Sequence, residues 1–99
     1  MKKVTKSLTL ALCQGRHEMP AEVAGSIFEG VVNPLDPQGL EEKASAVVAG
    51  AETVTIFVTG LSVALVAALN ACKKAGVKNV VLMHYNRDAG NYYPQKVLL

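Results

Sequence analysis

A strand–helix–strand pattern in the second half of the chain restricts this protein to few folds. Glu52–Val58 reads ETVTIFV, a β-branched and apolar run that is typical of a buried strand. The alanine-rich segment Val63–Ala75 predicts a helix, with Ser62 as its cap and Gly76 at its end. Lys78–Tyr85 predicts the next strand. Strands that alternate with helices usually form parallel sheets with right-handed crossovers, so the pattern indicates an α/β protein.

The flanking segments extend this pattern. Thr5–Cys13 alternates and then becomes continuously apolar, which predicts a strand entering the sheet. Asp36-Pro37 resembles a helix cap followed by a proline in the first turn, and the helix is expected to reach Ala49. Tyr92–Leu99 predicts an antiparallel strand at the edge of the sheet, because Pro94 suits an edge position.

The region between the first strand and the first helix has a weaker pattern. Ala21–Phe28 is expected to form at most a short helical turn, and glycines and prolines predict irregular structure over Gly25–Gln38. The predicted fold is a single minimal Rossmann-like α/β domain over residues 1–99. It has a mostly parallel sheet of about three strands, a C-terminal antiparallel edge strand and two main helices.

Composition narrows the function classes. The formal net charge of +2 and the lack of tryptophan give no argument for binding long nucleic acids. The longest apolar run, Leu61–Ala71, is too short to span a bilayer, so we expect a cytoplasmic protein without membrane association. Cys13 and Cys72 are expected to be free thiols, and the chain lacks the CxxC or HxxxH spacing of metal sites.

The apolar character of the second helix predicts self-association. Leu61–Ala71 is apolar on nearly every face, and a helix of this kind is buried on every face. Small residues at Ala64, Ala67, Ala68 and Ala71 would allow a second copy to approach closely. A homo-oligomer is therefore expected, unless the Gly25–Pro37 loop covers the helix.

Three polar clusters follow predicted strands, and they contain both arginines and both histidines of the chain. Because the carboxyl ends of parallel strands share one edge, and ligands of open α/β sheets bind there, we expect these clusters to form one binding site. The predicted ligand-binding residues are Gln14, Gly15, Arg16, His17, Thr59, Gly60, Leu61, Ser62, His84, Tyr85 and Arg87.

The chemistry of these residues suits a phosphate or carboxylate. A strand-to-helix turn directs backbone N–H groups and the positive end of the helix dipole at the sheet edge, and Thr59 and Ser62 add hydroxyl groups. Arginine binds phosphate in bidentate fashion, although Arg87 could instead pair with Asp88. The turn has neither a GxGxxG nor a GxxxxGK[ST] pattern, so we expect no dinucleotide cofactor and no P-loop.

Catalysis is an alternative function for the same residues. His17 and His84 could act as a general acid–base pair on a phosphodiester, and Cys13 could pair with a histidine. The sequence leaves the choice between a binder and an enzyme open. It also leaves open an interpretation without a functional site, in which the polar clusters are solvated loops and Tyr92 and Tyr93 pack on the sheet.

The segment Thr53–Tyr85 resembles the second half of a CARF domain, the Rossmann-like sensor of cyclic oligoadenylates in CRISPR antiviral defence. The resemblance rests on the strand Thr55–Val58, the turn Thr59-Gly60-Leu61-Ser62 and the alanine-rich helix after it. In that family the turn is typically Thr-Gly-Gly followed by Thr or Asn, so Leu61 departs from the pattern. The resemblance implies a binder that sequesters a signalling nucleotide. The alternatives are a small ring-nuclease-like enzyme and a structural or protein-interaction subunit with no ligand.

Overall fold

The computed structural model describes residues 6–13, 20–29, 33–59 and 62–99, and within these ranges it contains five strands and two helices. The strands are β1 (Ser7–Cys13), β2 (Ser26–Phe28), β3 (Thr53–Phe57), β4 (Asn79–Asn86) and β5 (Asn91–Val97), and the helices are α1 (Pro37–Val48) and α2 (Ser62–Ala75). The predicted Rossmann-like α/β fold class is confirmed.

All five strands belong to one sheet in the order β2-β1-β3-β4-β5. β1 pairs in parallel with β2 and with β3, and β3 pairs in parallel with β4. β5 returns antiparallel beside β4, as the sequence predicts. This order is one of the common orders of doubly wound α/β sheets.

Both helices cover the same face of the sheet. The connections β2-α1-β3 and β3-α2-β4 move across the sheet in the same direction, and right-handed crossovers then place their helices on one side. The helices pack against each other, and one core contains residues of both helices and alternate residues of the central strands. The central strands contribute Leu10, Leu12, Val54, Ile56, Val80 and Leu82 to this core.

The ends of the helices agree with the sequence prediction. Asp36 caps α1, and its Oδ1 accepts a hydrogen bond of 3.1 Å from the backbone N–H of Gly39. Gly50 and Gly76 follow the two helices with φ of 79° and 75°, the left-handed region in which glycine is favoured.

The prediction of a short helical turn over Ala21–Phe28 holds only at Ala21 and Glu22, where the N–H of Val23 donates to the carbonyl of Pro20 at 3.0 Å. Ser26–Phe28 forms the strand β2, so the prediction of irregular structure from Gly25 onward is wrong there. Ser26 lies opposite Ala11 of β1, and the pairing extends further, since the N–H of Ala24 donates to the carbonyl of Thr9 at 2.9 Å. A three-residue strand has no periodic pattern of its own. The backbone of β1 determines its conformation, so the local sequence carries little signal.

The alanine residues of α2, which predict self-association in the sequence, are not available to a second copy of the chain. Ala64, Ala67, Ala68 and Ala71 are all buried within the single chain and belong to the core that the sheet and α1 share. Their small side chains therefore accommodate α1 and the sheet. α1 packs against α2 and covers part of its surface, and of the large apolar side chains of α2 only Val66 is substantially exposed.

Cys13 and Cys72 are not joined by a disulfide. Cys72 is completely buried in the core, and this burial raises the pKa of its thiol to about 11. Cys13 is half-buried at the carboxyl end of β1. Among the residues described, neither helix is long and apolar enough to cross a membrane.

Candidate functional site

The carboxyl edge of the sheet brings together the described members of the predicted site. β1, β3 and β4 are neighbouring parallel strands, so their carboxyl ends meet at one edge. Thr59 and Ser62 follow β3 at this edge, and Arg87 begins the turn after β4. His84 and Tyr85 lie near the carboxyl end of β4. The other predicted residues lie outside the described ranges; they are Gln14, Gly15, Arg16, His17, Gly60 and Leu61.

The strand order creates a topological switch point between β1 and β3. The chain leaves β1 toward β2 on one side, then returns across β1 to β3 on the other side. Connections that diverge in this way leave a crevice outside the carboxyl ends of the two strands, and open α/β sheets bind ligands there. In sequence, residues 14–18 directly follow β1, and Thr59 lies two residues after the end of β3.

The hydroxyl group of Thr59 joins the two strands at this point. It donates to the carbonyl of Cys13 at 2.8 Å and accepts from the N–H of Cys13 at 3.1 Å. The side chain thereby continues the β1–β3 ladder beyond the last backbone pair. The sequence predicts that this hydroxyl binds a ligand, whereas in the structure it links the carboxyl ends of β1 and β3.

The N-terminus of α2 is the more suitable of the two helix N-termini for an anion. Both helices begin near the carboxyl edge, but the carboxylate of Asp36 already occupies the first turn of α1. The first turn of α2 carries no acidic residue, and Ser62 is exposed. Unpaired N–H groups and the helix dipole favour negative charge at such a position.

His84 lies in a small polar cluster on the face that the helices cover. Its Nε2–H donates to Oε1 of Gln95 at 2.6 Å, and its ring lies 5.4 Å from the ring of Tyr93 at an interplanar angle of 35°. Tyr93 is the direct cross-strand partner of His84. The imidazole is half-buried and held on two sides by β5, so its orientation is fixed before any ligand binds.

Arg87 is exposed on the β4–β5 turn. Asn86 shapes this turn, because its Oδ1 accepts from the backbone N–H groups of Asp88 at 3.0 Å and Ala89 at 3.2 Å. Gly90 closes the turn with φ of 69°. Within the described part of the chain, the guanidinium of Arg87 forms no ion pair with Asp88, and it is available to a ligand.

A second concave surface lies between the two helices. It encloses about 260 Å³, and its lining residues are Gln38, Glu41, Glu42, Ser45 and Lys74. An ion pair of 2.5 Å joins Lys74 to the buried Oε1 of Glu41 across this groove. The groove contains none of the described members of the predicted site, and its one lysine is paired with Glu41.

Sequence reasoning missed Gln95 and the backbone of Cys13 as parts of the site. Gln95 contacts His84 only because of the antiparallel register of β4 and β5. Cys13 contacts Thr59 only because β3 lies beside β1. Both relations depend on strand order and register, which no local motif encodes.

No protein-family model, curated protein or solved structure matches the chain. Among the described residues, no group of three His, Cys, Asp or Glu side chains could hold a metal ion.

Proposed function

We propose that this protein binds a small phosphate-containing ligand, a signalling nucleotide, at the carboxyl edge of its sheet and acts as a binding or sequestering module. The observation that carries the proposal is the switch point between β1 and β3, with the Thr59 hydroxyl joining the two strand ends. The resemblance of Thr53–Tyr85 to CARF domains supports a cyclic oligonucleotide as the ligand class.

The proposal assigns the phosphate to the Thr59–Ser62 turn. There the first turn of α2 offers N–H groups and the exposed hydroxyl of Ser62, without a competing carboxylate. Arg87, exposed on the β4–β5 turn, would supply positive charge. Arg16, three residues after the end of β1 in sequence, would supply more positive charge. His84 and Tyr85 would contact the base or the ribose.

The geometry of His84 suits either binding or hydrolysis. One nitrogen of its ring is bonded to Gln95 at 2.6 Å, which orients the ring and leaves the other nitrogen for a hydrogen bond or a proton transfer. A phosphodiesterase that uses His17 and His84 remains the enzymatic alternative. It predicts that the ligand is cleaved on prolonged incubation with the protein.

Native mass spectrometry of the purified protein is the first test. A nucleotide-sized adduct would support the proposal and give the mass of the ligand. The same spectrum gives the subunit number, and so tests the homo-oligomer that the apolar sequence of α2 led us to expect. If the spectrum shows no adduct, the protein would be titrated calorimetrically with cyclic tetra-adenylate and with inorganic phosphate. Failure of both compounds to bind would contradict the proposal.

Variants show whether binding occurs at the proposed edge. Arg87→Ala and Arg16→Ala should each weaken binding of cyclic tetra-adenylate by about ten-fold or more, since hydrogen bonds to charged groups are strong. Lys43→Ala is the matched control, because it removes one exposed positive charge from α1. Equal losses in all three variants would indicate nonspecific attraction to the net positive charge.

A further inference from the structure

All three tyrosines of the chain lie on the β4–β5 hairpin, where the antiparallel register distributes them over two faces. Tyr93 lies opposite His84, on the face that the helices cover. Tyr85 lies opposite Tyr92, on the other face. Since side chains alternate along a strand, Phe57 and Met83 share that second face.

On this second face three aromatic rings contact one another in a row, and their solvent exposure increases from Phe57 to Tyr85. Phe57 is almost completely buried, and Tyr92 packs edge-on against it with ring centroids 4.8 Å apart. Tyr85 packs edge-on against Tyr92 at 5.2 Å. At the outer end of the series Tyr85 is 54% exposed. Its ring is therefore supported from one side and open to solvent on the other.

Tyr85 also lies close to the switch point. Phe57 of β3 is opposite Met83 of β4, so Thr59 and Tyr85, each two residues further on, lie at the same level of the sheet. Neighbouring strands are about 4.8 Å apart. A ligand whose phosphate lies at the N-terminus of α2 can reach over the sheet edge to this ring.

We propose that Tyr85, supported by Tyr92, is the stacking platform for the nucleobase of the ligand, on the sheet face opposite the helices. This inference rests on the proposed function and adds the position of the base and the means of its recognition. An exposed tyrosine whose ring is already packed in place loses little conformational freedom on binding. Stacking uses the π-face that every base has, so this platform recognises the presence of a base and discriminates weakly between adenine and guanine.

The test compares two probes that differ only in the base, adenosine 5′-monophosphate and ribose 5-phosphate, in NMR titrations of the whole chain. The nucleotide should bind more tightly by on the order of ten-fold or more. It should also shift the Tyr85 ring protons upfield, which ribose 5-phosphate should not do. Tyr85→Leu should reduce the affinity for the nucleotide to that for ribose 5-phosphate, and Tyr85→Phe should preserve the difference.

The outcomes separate this inference from the function on which it rests. Equal affinities of the two probes for the wild-type protein would overturn the stacking platform and leave the phosphate site standing. A preference for the nucleotide that persists in Tyr85→Leu would also overturn it. Binding of neither probe would overturn the stacking platform, and the titrations with cyclic tetra-adenylate and inorganic phosphate would decide the proposed function separately. The ring-proton shift needs no variant, so the test holds even if Tyr85→Leu fails to fold.

Discussion

At the scale of single residues, the side chain of Thr59 links the carboxyl ends of two neighbouring strands. Its hydroxyl makes two hydrogen bonds to the backbone of Cys13, at the point where the backbone ladder between β1 and β3 ends. Thr59→Val keeps the shape of the side chain and removes both bonds. We expect a loss of about 2 kcal/mol in the free energy of unfolding, measured by urea denaturation.

Thr59→Ser is the matched control for this prediction. Serine keeps the hydroxyl and loses only a methyl group, so most of the stability should be retained. If Thr59→Val were as stable as the wild type, the hydroxyl would not join the strands in solution.

Cys72 gives a second prediction at this scale, on the pH dependence of stability. Burial raises the pKa of its thiol from 9.0 to about 11. Below pH 9 the thiol is protonated in both the folded and the unfolded chain. As the pH rises from 9 through 11 the unfolded chain loses the proton first, so stability contributed by the neutral buried thiol is lost. The expected loss is about 2 kcal/mol by pH 10.5.

The control for this prediction is Cys72→Ala, which has no thiol to titrate at this position. Urea denaturation at pH 8 and pH 10.5 should show a larger loss in the wild type than in the variant. Equal losses in the two proteins would mean that other groups account for the alkaline destabilisation.

At the scale of elements, the strand β5 shows how an exposed edge is protected. Pro94 lies opposite Met83 in the middle of β5 and has no N–H to offer a further strand. Lys96 on the same strand is exposed and adds a charge, and both features discourage edge-to-edge pairing. Pro94→Thr restores a donor and should increase concentration-dependent self-association, measured by size-exclusion chromatography. Lys43→Ala on α1 should leave the elution volume unchanged, and no change in Pro94→Thr would contradict the prediction.

The elements that the sequence predicts well are those whose signals are local. α1 has its cap at Asp36, α2 has an alanine-rich run, and β3 and β4 are apolar and β-branched. The sequence does not predict β2, because these three residues form a strand only through their pairing with β1. The candidate site shows the same difference between local and non-local signals. The sequence predicts that the strand ends converge, whereas the contacts of Thr59 with β1 and of Gln95 with His84 depend on strand order and register.

At the scale of the whole molecule, one core joins all the helices and the strands of the parallel sheet. It contains Leu12 of β1, Ile27 of β2, Val54 of β3, Val80 of β4 and residues of both helices, so no element has a separate core on which to unfold alone. We therefore expect a single cooperative transition, with far-ultraviolet circular dichroism and tyrosine fluorescence giving the same urea midpoint. Separate midpoints for the two probes would contradict this expectation.

Cooperativity of this kind also determines how a ligand acts on the molecule. A ligand that binds at the junction of β1 and β3 binds only the folded chain, since the junction exists only when β3 lies beside β1. Cyclic tetra-adenylate at a hundred times its dissociation constant should then raise the free energy of unfolding by about 2.7 kcal/mol. Both spectroscopic midpoints should move together. If only the fluorescence midpoint moved, the ligand would act on the tyrosines of the β4–β5 hairpin alone, and the switch-point site would be contradicted.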